Sequence, residues 1–157
     1  MLEIKPMQPH QAEEVKQVLI AACQEIFQVS EALIRQYDSM SDIDNVQEYY
    51  FNNKGTFLVL MDSDRVVGSG AVRRLSNQIC ELKRMWFLQA YRGQGLGLKM
   101  AEMLLDFARA ANYQTIRLDT ADAQKQAAAI RLYKKLGFYS IERYNEGPCT
   151  VFMEKLL

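Results

Sequence analysis

Apolar side chains recur at Val15, Val18, Leu19, Ala22, Cys23, Ile26 and Phe27, the i, i+3, i+4, i+7 spacing of one helix face. Pro9 suits the first turn of that helix, and residues 2–7 ahead of it read as a short strand. Ser30 is placed to N-cap a second helix bearing Leu33, Ile34 and Tyr37. Ser41 or Asp42 is placed to cap a third around Val46, Tyr49 and Tyr50. From residue 56 the pattern changes. Residues 56–61, 66–74 and 79–88 are strand-like apolar runs parted by Asp62-Ser63-Asp64 and Ser76-Asn77, which predicts an antiparallel meander. The helical period returns at Leu96, Met100, Met103, Leu104, Phe107, Ala108 and Ala111, with Lys99, Glu102, Asp106 and Arg109 on the opposite side. Residues 115–120 read as a strand and 123–136 as a helix stopped by Gly137. Residues 138–144 and 149–156 read as a closing hairpin across Glu146-Gly147-Pro148. This order predicts one domain over residues 1–157, an α/β (α+β) fold with a mixed sheet of about six to seven strands flanked by helices.

Composition narrows the function classes. Hydrophobic residues make up 49% and charged residues 24%, the balance of an ordinary globular protein with a core. The 19 basic and 19 acidic side chains cancel, and the largest basic cluster, Lys134-Lys135 with Arg131, has the spacing of a solvated helix face. A nucleic-acid partner is not expected. No apolar run approaches the roughly 20 residues of a membrane helix, and the first residues lack the apolar segment of a signal peptide, so no membrane association is expected. Cys23, Cys80 and Cys149, odd in number and widely spaced, fit a reducing cytoplasm better than a disulfide framework. With one histidine, His10, and no paired cysteines, no metal site is expected.

Three of the eight glycines stand at 93, 95 and 97, between a strand and a helix. Such a turn reaches backbone angles that other residues avoid, and leaves the first helical amides pointing outward. With the helix dipole these make an anion site suited to a phosphate or pyrophosphate, and Arg92 can add a charge at its rim. A P-loop would need Gly-Lys-Ser/Thr, but Leu98-Lys99-Met100 follows Gly97. A dinucleotide fold would place an acid at the end of the next strand, where Asp119 stands. Position 98 is leucine, however, and residues 120–157 are too few for the usual second half.

At these residues the chain resembles the GNAT superfamily of acetyl-coenzyme-A-dependent N-acetyltransferases. Three segments carry the resemblance: Glu81-Leu82-Lys83-Arg84-Met85-Trp86-Phe87, Arg92-Gly93-Gln94-Gly95-Leu96-Gly97, and Ala129-Ile130-Arg131-Leu132-Tyr133-Lys134-Lys135-Leu136-Gly137-Phe138. The resemblance implies that the strand ending near Phe87 and the one ending near Asp119 splay apart, with the pantetheine arm in the opening. Main-chain groups of Met85, Trp86 and Phe87 would pair with that arm. The amides of Arg92, Gly93, Gln94, Gly95, Leu96, Gly97 and Leu98 would hold the pyrophosphate. In the family an asparagine often stands seven residues before the helix tyrosine and touches the cofactor arm; here it is Gln126, one methylene longer. Similar proteins commonly form dimers, and the closing hairpin offers an edge at which a homodimer could pair.

Acyl transfer to an amine needs a neutral nucleophile, a partner for the developing oxyanion and an acid for the departing thiolate. No Ser/His/Asp or Cys/His set is present, so direct attack in a ternary complex is expected. By resemblance Tyr133 is the general acid. Glu81, on the strand flanking the thioester, is the candidate base, with Asp119 and Glu142 as weaker candidates. Arg73 and Arg74 face opposite sides of a strand, and one of them could bind a substrate carboxylate. The Tyr49-Tyr50-Phe51 cluster either lines the acceptor side or pins the third helix to the sheet. The expected activity is N-acetylation of a primary amine of a small molecule or peptide. A non-catalytic acyl-coenzyme-A sensor or scaffold is the alternative.

Overall fold

The computed structural model describes all of residues 1–157. Seven strands form one mixed sheet in the spatial order β1 (Leu2–Pro6), β2 (Thr56–Asp62), β3 (Arg65–Arg74), β4 (Ile79–Phe87), β5 (Thr115–Thr120), β7 (Val151–Leu156), β6 (Tyr139–Ser140). All neighbours are antiparallel except β4 and β5. A parallel pair requires a crossover, and α5 (Leu96–Ala110) supplies it. Helices α1 (Ala12–Phe27), α2 (Glu31–Tyr37), α3 (Ser41–Asp44) and α4 (Val46–Tyr49) pack on one face. Helices α5 and α6 (Ala127–Lys135) pack on the other.

Two helical layers give two cores, and β2 feeds both. Phe57, Val59 and Met61 point to the α1 layer, Leu58 and Leu60 to the α5 layer. Strand alternation therefore appears in this sequence as a continuous apolar run, because neither face meets water. β5 is held mainly by β7, with six paired positions from Thr115↔Leu156 to Thr120↔Val151, against three with β4. Arg117 and Glu154 face each other in that ladder and form an ion pair at 3.0 Å.

Two expectations about helix ends hold. The Ser30 hydroxyl accepts from the Leu33 amide at 3.2 Å and caps α2, and Gly137 ends α6 with φ of 99°. No single helix is long and apolar enough to cross a membrane, and all three cysteines are free thiols.

Others need correction. Ser41 and Asp42 cap nothing: the third helix is two short pieces, α3 and α4, entered through Met40 in the left-handed region. Asp38 fixes that entry by accepting from the Met40 amide at 2.9 Å. α6 starts at Ala127 rather than 123, because Asp122 Oδ1 accepts from the amides of Gln124 and Lys125 and closes a separate turn first. The hairpin shrinks to Tyr139–Ser140 against β7. Residues 141–150 are irregular instead, tied by Arg143 to the carbonyls of Asn145, Gly147 and Cys149. On α5, Met103 faces out while Ala101 and Leu105 are buried, so the inward face is rotated from the expected one.

The register of β3 against β4 slips at one place. Ser69 lies opposite Trp86 but Ala71 lies opposite Lys83, so Gly70 confronts two residues, Arg84 and Met85. This is a β-bulge, and Arg84 adopts φ of 59° to make it. A Cβ on Gly70 would come within 2.7 Å of Met85 Sδ, 2.8 Å of Leu104 Cδ1 and 2.9 Å of Met100 Cγ. Gly70→Ala is therefore expected to destabilise the fold by about 1–3 kcal/mol in urea unfolding, as an overpacked core does.

Candidate active site

β4 and β5 begin side by side and then part. Their parallel ladder runs through Ile79↔Thr115, Cys80↔Ile116 and Glu81↔Arg117 and stops there, although β4 continues to Phe87 and β5 to Thr120. The bulge at Arg84 falls within the released stretch. A strand released from its neighbour has backbone groups that need new partners. The main chain of Met85, Trp86 and Phe87 lies on this free edge. The parting opens a cleft of about 700 Å³. Leu19, Phe27, Val29 and Leu33 line one end of it, and Thr120, Gln126 and Tyr133 the other.

At the end of β4 the chain turns through residues 88–95 into α5. Gly93 and Gly95 have φ of 75° and 78°, a region that side-chain-bearing residues enter only at a cost. Gly95 is the N-cap of α5, and the first amide to close on a carbonyl is that of Lys99, onto Gly95 at 3.1 Å. The amides of Leu96, Gly97 and Leu98 thus belong to the open first turn. No acidic residue stands in that turn, so nothing there competes with an anion for the positive end of the helix. A Cβ at Gly93 or Gly95 would meet nothing within 4 Å, so both glycines answer to backbone angle and not to crowding. Gln94 braces the loop by donating to the Ala90 carbonyl at 2.9 Å. This geometry fits a pyrophosphate at the turn and an extended arm along β4.

The side chain of Arg92 does not sit as a free charge at the rim. It donates through Nε to the Phe87 carbonyl at 3.0 Å and through Nη1 to Glu25 on α1 at 2.5 Å. It ties the loop to α1. Gln126, the N-cap residue of α6, uses its carbonyl oxygen on the amides of Ala121 and Asp122, at 2.7 and 3.2 Å. Only its amide NH₂ is left to face the cleft.

Tyr133 lines the cleft from α6 and is buried, against Phe138 at a ring separation of 5.7 Å. Burial pushes its phenol above the ordinary value, so it stays protonated. Glu81 is not a surface carboxylate. It is 5% exposed, and its two oxygens accept from Arg73 Nε at 3.0 Å and from the Tyr144 hydroxyl at 2.6 Å. Arg73 also donates to the Tyr49 hydroxyl at 2.6 Å, whereas Arg74, on the other face, turns to Asn77. Glu81 lies beside the cleft without lining it, and Glu142 is exposed away from it. Asp119 does line the cleft, accepting from Asn145 Nδ2 at 2.8 Å. Cys149 lies against Asp119; burial first, and then that carboxylate, push its thiol up to about 12, far from a nucleophile. Of the aromatic triplet, Tyr50 is fully buried against Phe57 and pins the short helices, while Tyr49 and Phe51 are half-buried and do not reach the cleft wall.

The sequence pattern missed Arg84. Its guanidinium contacts both oxygens of Asp38 and both oxygens of Asp42, with Nε to Asp42 Oδ2 at 3.0 Å and Nη2 to Asp42 Oδ1 at 2.6 Å. The Tyr50 hydroxyl adds a contact to Asp42 at 2.5 Å. Burial opposes ionisation of Asp42, but the Arg84 contacts and Tyr50 outweigh it and hold the carboxyl down at about 2. The bulge that opens β4 is thereby bonded to Asp38 at the end of α2 and to Asp42 within α3.

A sheet splayed at its one parallel pair, with a glycine turn at the mouth, is the fold of the GNAT acetyltransferases. Residues 21–138, more than half of the chain, match the acetyltransferase (GNAT) family, and the chain belongs to that family. Over 104 residues it is 35% identical to the uncharacterized N-acetyltransferase YjgM of Escherichia coli (strain K12), a match spanning 64% of this chain and 61% of that one. An acetyltransferase from Streptococcus agalactiae 2603 superposes with a TM-score of 0.83 at 28% identity, covering 99% of this chain and 98% of that one. The paia N-acetyltransferase of Thermoplasma acidophilum, solved in complex with coenzyme A, has the same fold at a TM-score of 0.83 and 19% identity, over 100% and 99% of the two chains.

Two outcomes follow. A valine at position 95 must take a positive φ at a cost of about 1–3 kcal/mol or distort the turn. Gly95→Val should therefore weaken coenzyme A binding about tenfold or more by calorimetry, with the helical circular dichroism retained. The depressed Asp42 pKa supplies stability that is fully present above the unfolded value near 3.9 and is lost as pH falls toward 2, about 2 kcal/mol in all. Urea midpoints should fall over that window in the parent protein. In Asp42→Asn they should fall less, from a start lowered by about 3 kcal/mol at neutral pH.

Proposed function

We propose that this protein transfers the acetyl group of acetyl-coenzyme A to a primary amine of a small molecule or peptide, by direct attack with both substrates bound. The observation that carries this reading is the meeting of three features in one cleft: the free edge of β4, the open first turn of α5 and the side chain of Tyr133, whose hydroxyl has no partner within the chain. Family membership and the coenzyme A complex of the Thermoplasma relative support it.

In this reading the amides from Arg92 to Leu98 bind the pyrophosphate, and the backbone of Met85, Trp86 and Phe87 aligns the arm. The Gln126 NH₂ donates to the arm from the opposite wall. The ammonium first gives one proton to solvent, and the neutral nitrogen then bonds to the thioester carbon and loses a second. The carbon–sulfur bond breaks, its electron pair stays on sulfur, Tyr133 gives that sulfur its proton, and water in the cleft returns a proton to the tyrosine. The amine's second proton passes to Glu81 by way of water and the Tyr144 hydroxyl, which already donates to Glu81. Burial and the adjoining Glu81 raise the Tyr144 pKa, so this hydroxyl hands a proton on and does not hold a charge. Approximation of the two substrates supplies much of the rate, as no covalent enzyme intermediate is needed.

The test is release of coenzyme A from acetyl-coenzyme A against free amino acids, polyamines, aminoglycosides and peptides, with a protein-only blank for the three thiols. Turnover with one class is expected, and Tyr133→Phe should lower kcat about a hundredfold while leaving coenzyme A affinity in place. Binding of acetyl-coenzyme A without turnover of any amine would instead make the protein a coenzyme-A-binding module. An unchanged kcat in Tyr133→Phe would remove the tyrosine from the acid role.

A further inference from the structure

Five charged side chains line the cleft: Asp38, Lys83, Arg84, Asp119 and Lys125. Asp38 and Arg84 are bonded to each other. Lys125 is exposed on the turn that precedes α6. Lys83 and Asp119 remain, and their positions are related. Each lies two residues beyond the last rung of the β4–β5 ladder, Glu81↔Arg117. Two residues is one strand period, so both project from the face that carries Glu81 and Arg117. Were the strands still paired, Lys83 and Asp119 would be neighbours and would form an ion pair. The parting of the strands keeps them out of reach, and neither takes part in any salt bridge.

Other charges on this face are already matched. Arg73 is taken by Glu81, and Asp42 by Arg84. The Lys83 ammonium makes no hydrogen bond within the chain and stands 5.8 Å from the centre of the Tyr49 ring. Asp119 holds only the Asn145 amide and the Cys149 thiol. Lys83 on β4 and Asp119 on β5 therefore line the cleft as a cation and an anion without an ion-pair partner, although the Lys83 ammonium leans toward Tyr49 and also lowers the pKa of Asp42.

We propose that the acceptor is an α-amino acid, bound as its zwitterion with the carboxylate on Lys83 and the amine end at Asp119. This deepens the acetyl-transfer reading above and rests on it. A ligand carrying both charges a few bonds apart completes the broken rung, whereas a plain amine leaves Lys83 unmatched. The adjoining wall, from Leu19, Phe27, Val29 and Leu33, is apolar and suits an apolar group on the α-carbon. Asp119 draws the amine to the splay, where the thioester arrives along β4. Lys83 sets which amines are taken, because loss of a charge-assisted contact cannot be made good by water once the cleft is filled.

The experiment is calorimetric titration of the coenzyme-A-saturated protein with L-leucine, L-phenylalanine and L-methionine, and with the α-carboxamide of each. The acids should bind about tenfold or more tightly than the amides. Lys83→Gln should erase that preference by weakening the acids, and Lys83→Arg should keep it. Asp119→Asn should weaken acid and amide alike. Coenzyme A affinity is the control for folding in every variant. Equal binding of acids and amides by the parent protein overturns the proposal, as does a preference that survives Lys83→Gln, or no binding of any acid. Turnover of amines that lack a carboxylate would then leave the transferase reading standing while this one falls. Failure to bind coenzyme A at all would take both down.

Discussion

The parting of β4 from β5 is the constraint on which the rest of the molecule depends, and Arg84 is at its centre. A parallel ladder that continued past Glu81↔Arg117 would close the cleft and pair the backbone that the site needs free. The bulge turns β4 aside at the cost of a positive φ on a residue with a long side chain. That cost is offset where the same side chain is bonded to two carboxylates in a buried setting. Gly70 is the matching concession on β3, since the displaced Met85 occupies the room a side chain would need.

The two walls of the cleft are held by different physics. On the α5 and α6 side the groups that face a ligand are main-chain amides and one buried phenol, fixed by helix geometry. On the α1 and α2 side they are apolar side chains and ionic groups, fixed by packing and by the Arg84 cluster. Arg92 joins the two sides, because it bonds the end of β4 to Glu25 on α1. A shift of α1 would therefore be felt at the glycine turn. Burying Arg84 with Asp38 and Asp42 is a weak source of stability; its effect is to fix where the α1 and α2 wall stands relative to the bulge.

Much of this was legible in the sequence, and the limits have physical causes. Long periodic elements such as α1 and α5 announce themselves, and the glycines at 93 and 95 mark a turn that only positive φ can make. The α3–α4 break was not legible, because Met40 in the left-handed region leaves no mark in residue type. The shortened hairpin was also hidden, since the Arg143 contacts that replace it join a side chain to carbonyls of its own loop. Glu81 could be placed on the right strand from the motif, but its partners Arg73 and Tyr144 are brought to it by strand register and by an irregular loop. Arg84 looked like one more charge on a strand. Its importance comes from a bulge, and a bulge is a property of two strands together.

The second wall of the cleft has an order of assembly built into it. β5 has six pairings with β7 and only three with β4, and its Arg117 is neutralised by Glu154 on β7. A ribosome delivers residues 151–156 long after residues 115–120. Until they emerge, β5 is an edge strand with most of its backbone unpaired. The glycine turn and α5 can form earlier, from local contacts, so a nascent chain would own this turn before it owns a cleft. Truncation just ahead of β7 would leave that turn without the second wall of its cleft, and would expose the unpaired backbone of β5, with Ile116 and Leu118, to whatever chain lies nearby.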